Sequence, residues 1–353
     1  MTVRVGFLGA GLIAAYHAIQ LNQADEPNRI VAVHDPDGDR AERLAAGQGG
    51  AAMATPEEVV DASDAVFVCT WTSEHLRCVE LVAAAGKPLF CEKPLSVDLA
   101  SARELVDVVR SAGIIDMVGL VLRSTPALLG VREMIQDPAS GPVMNVVFRD
   151  DQYLPTQGLY ASTWRGDVDR AGSGALLEHS IHDLDILEWL LGPIDTIGAH
   201  QSHFHRIDGI EDSVSALLRF AGGATGTLAS VWHDVLSRPS QRRIEVFCER
   251  ATVTLVGDVD GPIRRQDDDG EMVLEGDALV EWLAVRGVAA PSAEEEFLRA
   301  VRTHLAGGAP ERLRPDVVDA LRAHVLADAV YRSAALGGDP LAVPAPAGGP
   351  VGP

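Results

Sequence analysis

Two lysines stand out because every other non-histidine cation of the chain is an arginine. Lysine and arginine together number 29, and only Lys87 and Lys93 are lysines. A compact ammonium can approach a small alkoxide and exchange a proton, whereas a guanidinium is bulkier and stays charged. Lys93 lies in Cys91-Glu92-Lys93-Pro94, directly after the apolar run Pro88–Cys91. If that run is a parallel strand, Lys93 emerges at its carboxyl end, where open α/β sheets place ligands. It can serve there as a catalytic cation or a Schiff-base former; a surface charge paired with Glu92 is the structural alternative.

A second cluster follows in Glu178-His179-Ser180-Ile181-His182-Asp183-Leu184-Asp185. Glu178, His182 and Asp185 fall at i, i+4 and i+7, on one face of a helix, while Leu177, Ile181, Leu184 and Leu187 form an apolar stripe toward the core. Flanking carboxylates orient an imidazole and favour its protonated form, which suits proton transfer. A solvated polar face is the plain alternative. Two histidines and three acids also admit a metal, but cysteine or histidine ligands at familiar spacings are missing nearby, and no metal is expected. Tyr153, His179 and His233 are weaker candidates for substrate contacts, while His200, His203 and His205 read as scattered along one strand.

The third constellation is Gly9-Ala10-Gly11-Leu12-Ile13-Ala14, a G-x-G-x-x-A turn between a strand and a helix. Gly9 allows the tight turn, Gly11 lets a pyrophosphate approach, and Ala14 permits close helix–strand packing. The anion would rest on the first helical N–H groups, those of Leu12 and Ile13 among them, with no basic residue required. Asp35 ends the second strand, where an acid binds ribose hydroxyls and repels a 2′-phosphate. NAD is therefore expected over NADP, with Arg40 close enough to keep NADP possible.

Elements that can position these residues alternate through the first third of the chain. Strands are expected at 2–8, 30–34, 65–70, 88–91 and 114–122, with helices at 12–24, 39–48, 75–85 and 99–112. Such βαβ rhythm predicts a doubly wound parallel sheet over residues 1–123. Beyond it, strand-like runs crowd together at 143–149, 194–205, 213–220, 224–232, 244–248 and 252–256, with Gly222-Gly223 as a hairpin signal. One helix at 174–191 and later ones at 294–305 and 315–336 complete an α+β domain over 124–339, with an open, mostly antiparallel sheet. The Pro/Gly/Ala-rich tail 340–353 is expected to be disordered or extended.

Composition sets outer bounds. Over 353 residues, 29 cations against 51 acids give a formal charge of −22, which repels phosphate backbones and anionic membrane surfaces; neither nucleic acid nor membrane is expected as a partner. No apolar run is long enough for a membrane helix. The apolar stretch at 7–15 lacks a basic start and a clear cleavage site, so it is not read as an export signal. Four cysteines without paired spacing fit a reducing cytoplasm.

Taken together, Gly9-x-Gly11-x-x-Ala14, Asp35, Val68-Cys69-Thr70, His75, Gly86-Lys87-Pro88, Glu92-Lys93-Pro94, Arg123, Trp164-Arg165, Gly172-Ser173-Gly174 and His182-x-x-Asp185 resemble the glucose–fructose oxidoreductase / inositol dehydrogenase (Gfo/Idh/MocA) family. The resemblance runs by motif from residue 3 to about 192 and by architecture to about 337. It implies that Lys93 and His182 are the catalytic pair, with Glu178 and Asp185 orienting or tuning His182. It also implies that Thr70, Thr72, His75, Glu92 and Arg123 lie near the nicotinamide half of the cofactor, with Trp164 and Arg165 among the cofactor contacts. Substrate would be a polyol, sugar or sugar-derived alcohol or ketone, bound between the nucleotide domain and the open sheet face, and a homodimer or homotetramer is implied. Three positions depart from the family pattern: Glu178 replaces a common aspartate, Trp71 a common proline, and His179-Ser180 residues that are often small and apolar. Two other readings stay open, a metal-dependent hydrolase or lyase built on 178–185 and a non-catalytic NAD-binding sensor.

Overall fold

The computed structural model describes residues 1–346 apart from Pro239 and Glu311. The chain divides into two compact units. The first holds Met1–Val121, Asp169–Gly172 and Pro291–Leu321; the second holds Leu122–Val168, Ser173–Ala290 and the chain from Arg322 onward. The division at Val121/Leu122 lies beside the expected 123/124 boundary. Residues 291–321, expected in the second domain, belong to the first, because their apolar side chains complete its core.

In the first unit, β1 (Val3–Leu8), β2 (Asn28–His34), β3 (Ala51–Ala52), β4 (Ala65–Val68), β5 (Leu89–Cys91) and β6 (Asp116–Val118) form a parallel sheet in the order β3-β2-β1-β4-β5-β6. This is the doubly wound order, with its topological switch point between β1 and β4. Val5, Phe7, Phe67, Leu89 and Phe90 are fully buried, as expected when both sheet faces are covered. The connecting helices are α1 (Leu12–Gln23), α2 (Gly38–Gln48), α3 (Pro56–Ala62), α4 (His75–Ala84) and α5 (Leu99–Ala112). The last matches its expected span; Asp98 accepts from the Ser101 N–H at its start and Gly113, in the left-handed region, closes it. The strand expected over 114–122 shrinks to β6, followed by a 3₁₀ turn at Val121–Ser124. Its outer edge is taken by the returning chain: the Val118 N–H donates to the Pro315 carbonyl and the Val317 N–H to Asp116.

The chain continues through α6 (Pro126–Gln136), β7 (Val143–Tyr153), the single turn α7 (Val168–Ala171), α8 (Ile181–Leu191), β8 (Ile194–Ser202), β9 (Ser213–Phe220), β10 (Thr225–His233), β11 (Gln241–Cys248), β12 (Thr252–Val256), β13 (Ile263–Asp267), β14 (Gly270–Leu274), α9 (Gly276–Val285), α10 (Ala293–Leu305), α11 (Val317–Ala335) and β15 (Leu341–Ala342). The second unit carries a nine-stranded sheet, β14-β13-β12-β11-β7-β10-β9-β8-β15. It is antiparallel except for the β7–β10 pair. Along β9 and β10 buried and less buried residues alternate, so one face packs on α8 and the core while the other stays open. Val147, Leu217 and Phe247 project from the open face, Leu217 at 68% exposure.

Two expectations are corrected here and a third is narrowed. The helix read as continuous over 174–191 is a π turn at Ala175–His179, a break at Ser180 and then α8. The Ser180 hydroxyl donates to Ser230 Oγ (2.6 Å), and the Glu211 carboxylate accepts the N–H groups of Gly174 and Leu176, so the first turn is fixed from outside. The tail from residue 340, expected to be disordered or extended, is extended and ordered at its start: Leu341 and Ala342 pair with β8 and Val343 is buried, while 347–353 lie outside the described residues. Finally, β8 ends at Ser202, so His203 and His205 leave the strand; His205 Nδ1 lies 2.7 Å from Asp212. Among the described residues no helix is long and apolar enough to cross a membrane.

Candidate active site

The turn after β1 matches the needs of a dinucleotide. Gly9 has φ +96°, and a Cβ there would lie 2.4 Å from the Cys69 carbonyl oxygen. Beside Gly11 a Cβ would meet nothing within 4 Å, and this residue caps α1 without a side chain. The N–H groups of Leu12 and Ile13 start the helix without intrahelical acceptors. Ala14 is fully buried. An open patch over unpaired helical N–H groups fits a pyrophosphate. Asp35, just past β2, accepts from the Ala10 N–H (2.7 Å) and the Asp37 N–H (2.8 Å), which fixes its carboxylate against the glycine turn. Arg40 pairs with Asp37 at 3.1 Å in the first turn of α2.

Lys93 follows β5 at the carboxyl end of the sheet and is tied at its backbone. Its N–H donates to Glu92 Oε2 (3.2 Å), and His75 Nδ1 stands 2.9 Å from the Pro94 carbonyl, with Nε2 3.3 Å from that of Thr70. Burial lowers the His75 pKa, and the ring lies between the Thr70 and Pro94 carbonyls beyond the ends of β4 and β5. His75, Thr72 and Glu92, expected near the nicotinamide half of the cofactor, are all buried. Glu92 meets His17 of α1, which also meets Glu294 of α10. Arg170 stacks over Trp71 at 4.1 Å, so the tryptophan that departs from the family pattern is covered by a cation.

The second cluster belongs to the second unit. His182 lies in the first turn of α8 and is buried. Asp185, one turn on, is gripped by Arg123 through two guanidinium nitrogens, one of them 2.8 Å away. Glu178 pairs with Arg165 at 2.6 Å, and that guanidinium lies over the Trp164 ring. Arg123 and Arg165, expected among the cofactor contacts, pair with Asp185 and Glu178, and Trp164 lies under the Arg165 guanidinium.

Sequence reasoning missed the group beneath them. Arg242 of β11 is buried and reaches Asp183 (2.7 Å), Asp150 (3.0 Å) and Asp258 (2.6 Å), while His179 Nε2 lies 2.9 Å from Asp150. Burial and the adjacent Asp150 charge, outweighing Arg242, push the Asp183 acid up to about 7; burial raises Asp150 as well. The available signal was Asp150-Asp151-Gln152 inside a strand, a run of residues that strands avoid without a reason. Of the three substrate candidates only His179 joins this group. His233 faces the other way, its Nε2 3.4 Å from Asp151, which Arg238 also holds. Tyr153 is buried, and its hydroxyl accepts the Leu159 N–H to brace the following loop.

Residues 3–120 match the oxidoreductase family with an NAD-binding Rossmann fold, and residues 128–254 match the GFO/IDH/MocA C-terminal domain. The inositol 2-dehydrogenase of Rhizobium meliloti is 31% identical over 346 residues, covering 95% of this chain and 98% of that protein. The inositol 2-dehydrogenase of Cereibacter sphaeroides is 32% identical over 63% of this chain, and the match spans 65% of that protein's length. Levoglucosan dehydrogenase, solved in complex with NADH and levoglucosan, shares the fold with a TM-score of 0.82 at 21% identity, over 98% of this chain and all of that one. With family models matching both halves and a relative 31% identical along nearly its whole length, the chain belongs to the Gfo/Idh/MocA family of NAD-binding oxidoreductases.

Proposed function

We propose that the protein is an NAD-dependent dehydrogenase or reductase of a polyol, sugar or sugar-derived alcohol or ketone, with Lys93 and His182 as its catalytic residues. The observation that carries this reading is Lys93 fixed by its backbone at the carboxyl end of β5, in the same unit as the Gly9–Gly11 turn and Asp35. Bound nicotinamide supplies the hydride acceptor. For oxidation, His182 takes the hydroxyl proton and the Lys93 ammonium stabilises the charge developing on the substrate oxygen. Arg123 and Arg165 neutralise Asp185 and Glu178, so both acids stay ordered around the histidine. His179, fixed by Asp150, is the residue of this face proposed to contact substrate. The polyol class rests on the names of the relatives, inositol and levoglucosan dehydrogenases.

The finer attributes are proposals of the same kind. The open sheet face with Val147, Leu217 and Phe247 supports a homodimer or homotetramer. Four free, buried cysteines support a reducing cytoplasm. The metal-hydrolase reading loses Glu178 and Asp185 to arginines, and among the described residues no group of three or more His, Cys, Asp or Glu side chains is arranged to hold a metal. A screen of polyols and keto-sugars, read by nicotinamide absorbance, tests the proposal. Turnover with at least one cyclic polyol or sugar is expected. Tight NAD binding with no turnover on any of them would point to a sensor instead, and NAD-independent activity abolished by chelation to a metallohydrolase.

A further inference from the structure

We propose that His17, fully buried behind the glycine-turn helix, is a positioning residue for Lys93, acting through a buried carboxylate–imidazole–carboxylate clamp. His17 stands on α1, the helix that begins at the glycine turn, and is fully buried. Its Nε2 lies 2.8 Å from Glu92 Oε1 and its Nδ1 2.6 Å from Glu294 Oε1 on α10. Glu92 Oε2 accepts the Lys93 N–H, so the clamp continues into the backbone of the lysine. On the other side Gly119 presses on Glu92: a Cβ there would fall 2.1 Å from Oε1, so the carboxylate is confined from the β6 side as well. The inference rests on the reading of Lys93 as the group that meets substrate.

Two short contacts to two carboxylates need two N–H donors, which only the imidazolium has. Burial alone would lower the His17 pKa, but the hydrogen bonds it donates to Glu294 and Glu92 and the charges of those carboxylates outweigh it and hold it at about 9. The groups around it agree with that state. Phe67 of β4 and Phe90 of β5 present apolar rings, as does Tyr16 of its own helix. Burial, with Glu92 and Glu294 beside it, raises the Cys69 thiol, so Cys69 adds no charge. Burial lowers the His75 pKa, and Lys93 meets Glu92 through its backbone N–H at Oε2, the oxygen that does not face His17. As pH rises through about 9 the ring loses one N–H, releases one carboxylate, and the Glu92–Lys93 turn loosens.

The two-lysine composition makes this testable without turnover. Protein grown with lysine labelled with 13C at Cα gives two lysine signals, assigned by Lys87→Arg. In wild type the Lys93 signal should shift with an inflection near 9 while that of Lys87 does not follow it. In Glu294→Gln, which keeps an acceptor but removes a charge, the inflection should move to lower pH by roughly one unit or more, with NAD affinity at neutral pH changed less than threefold. The kcat profile with a polyol or sugar turned over in the screen should fall on its alkaline side with the same inflection as the NMR signal. A purely structural staple would lower Tm and NAD affinity together and leave the Lys93 signal without its own inflection, which overturns the proposal. So does an inflection that stays put in Glu294→Gln. Failure of the catalytic reading looks different: Lys93→Arg would turn over like wild type while the Lys93 signal of the unmutated lysine still followed His17.

Discussion

Asp183→Asn should change the slope of stability against pH in the second unit. Asp183 is fully buried, and burial together with Asp150 holds its acid up at about 7 against an ordinary 3.8. An unfolded chain ionises it at the ordinary value, so between the two pH values the folded state holds the extra proton and stability falls as pH rises. One proton is worth about 1.4 kcal/mol per pH unit in that window. From about pH 5 to about pH 7 the group therefore removes about 3 kcal/mol. Asparagine keeps the shape and can accept the Arg242 N–H, but it does not titrate, and Asp150 and Asp258 remain as the carboxylates of Arg242. The absolute effect of the substitution mixes lost and relieved interactions; its change with pH isolates the proton. Denaturant unfolding at about pH 5 and about pH 7.5, read by tryptophan fluorescence, gives that difference, since Trp164, Trp189, Trp232 and Trp282 all lie in the second unit. The variant should gain about 3 kcal/mol relative to wild type between the two conditions. A difference constant to within about 1 kcal/mol would refute the raised pKa of the buried Asp183 acid.

Gly9→Ala should lower the stability of the first unit by about 1–3 kcal/mol, because it forces a side chain onto φ +96° and toward the Cys69 carbonyl; an unchanged Tm would remove the glycine's steric argument. Asp35→Ser should narrow the preference for NAD over NADP in paired binding titrations, and a wild type preferring NADP tenfold, about 1.4 kcal/mol, would overturn the reading of Asp35. Arg123→Met leaves a buried Asp185 without its cation and should cost about 3–5 kcal/mol, part of which Asp185→Leu in the same chain should restore. No recovery in that double variant would mean that the pair does more than neutralise a buried charge.

The parallel half was readable because its signals are local: apolar strands, glycine breaks and capped helices each announce themselves within a dozen residues, and Leu99–Ala112 lies where its sequence puts it. Lys93 and the glycine turn were legible for the same reason, since strand-end position follows from the strand. What escaped depends on partners far along the chain. Glu294 reaches His17 across 277 positions, Arg242 reaches Asp183 across 59, and the 291–321 segment returns to a core begun at residue 3. The helix at 174–191 kept a continuous apolar pattern, yet Glu211 and Ser230 pull its first turn into a π turn, an external constraint that periodicity does not carry. Glu178 and Asp185 were placed on one face with His182, but nothing in their spacing names Arg165 and Arg123 as their counterions.

Lys93 carries the central claim, and one comparison tests it most directly. Lys87 precedes β5 and gives its ammonium to the Ser63 carbonyl at 2.9 Å, a bond that arginine can also make. Lys93→Arg and Lys87→Arg therefore change the same chemistry at two places, one at the carboxyl end of the sheet and one away from it. Single-turnover reduction of NAD, with the best polyol of the screen and chemistry limiting, should fall at least about 100-fold in Lys93→Arg and stay near wild type in Lys87→Arg, with NAD affinity kept in both. Near-wild-type turnover in Lys93→Arg would show that a fixed positive charge is enough there, and that Lys93 is not the group that handles the substrate's oxygen.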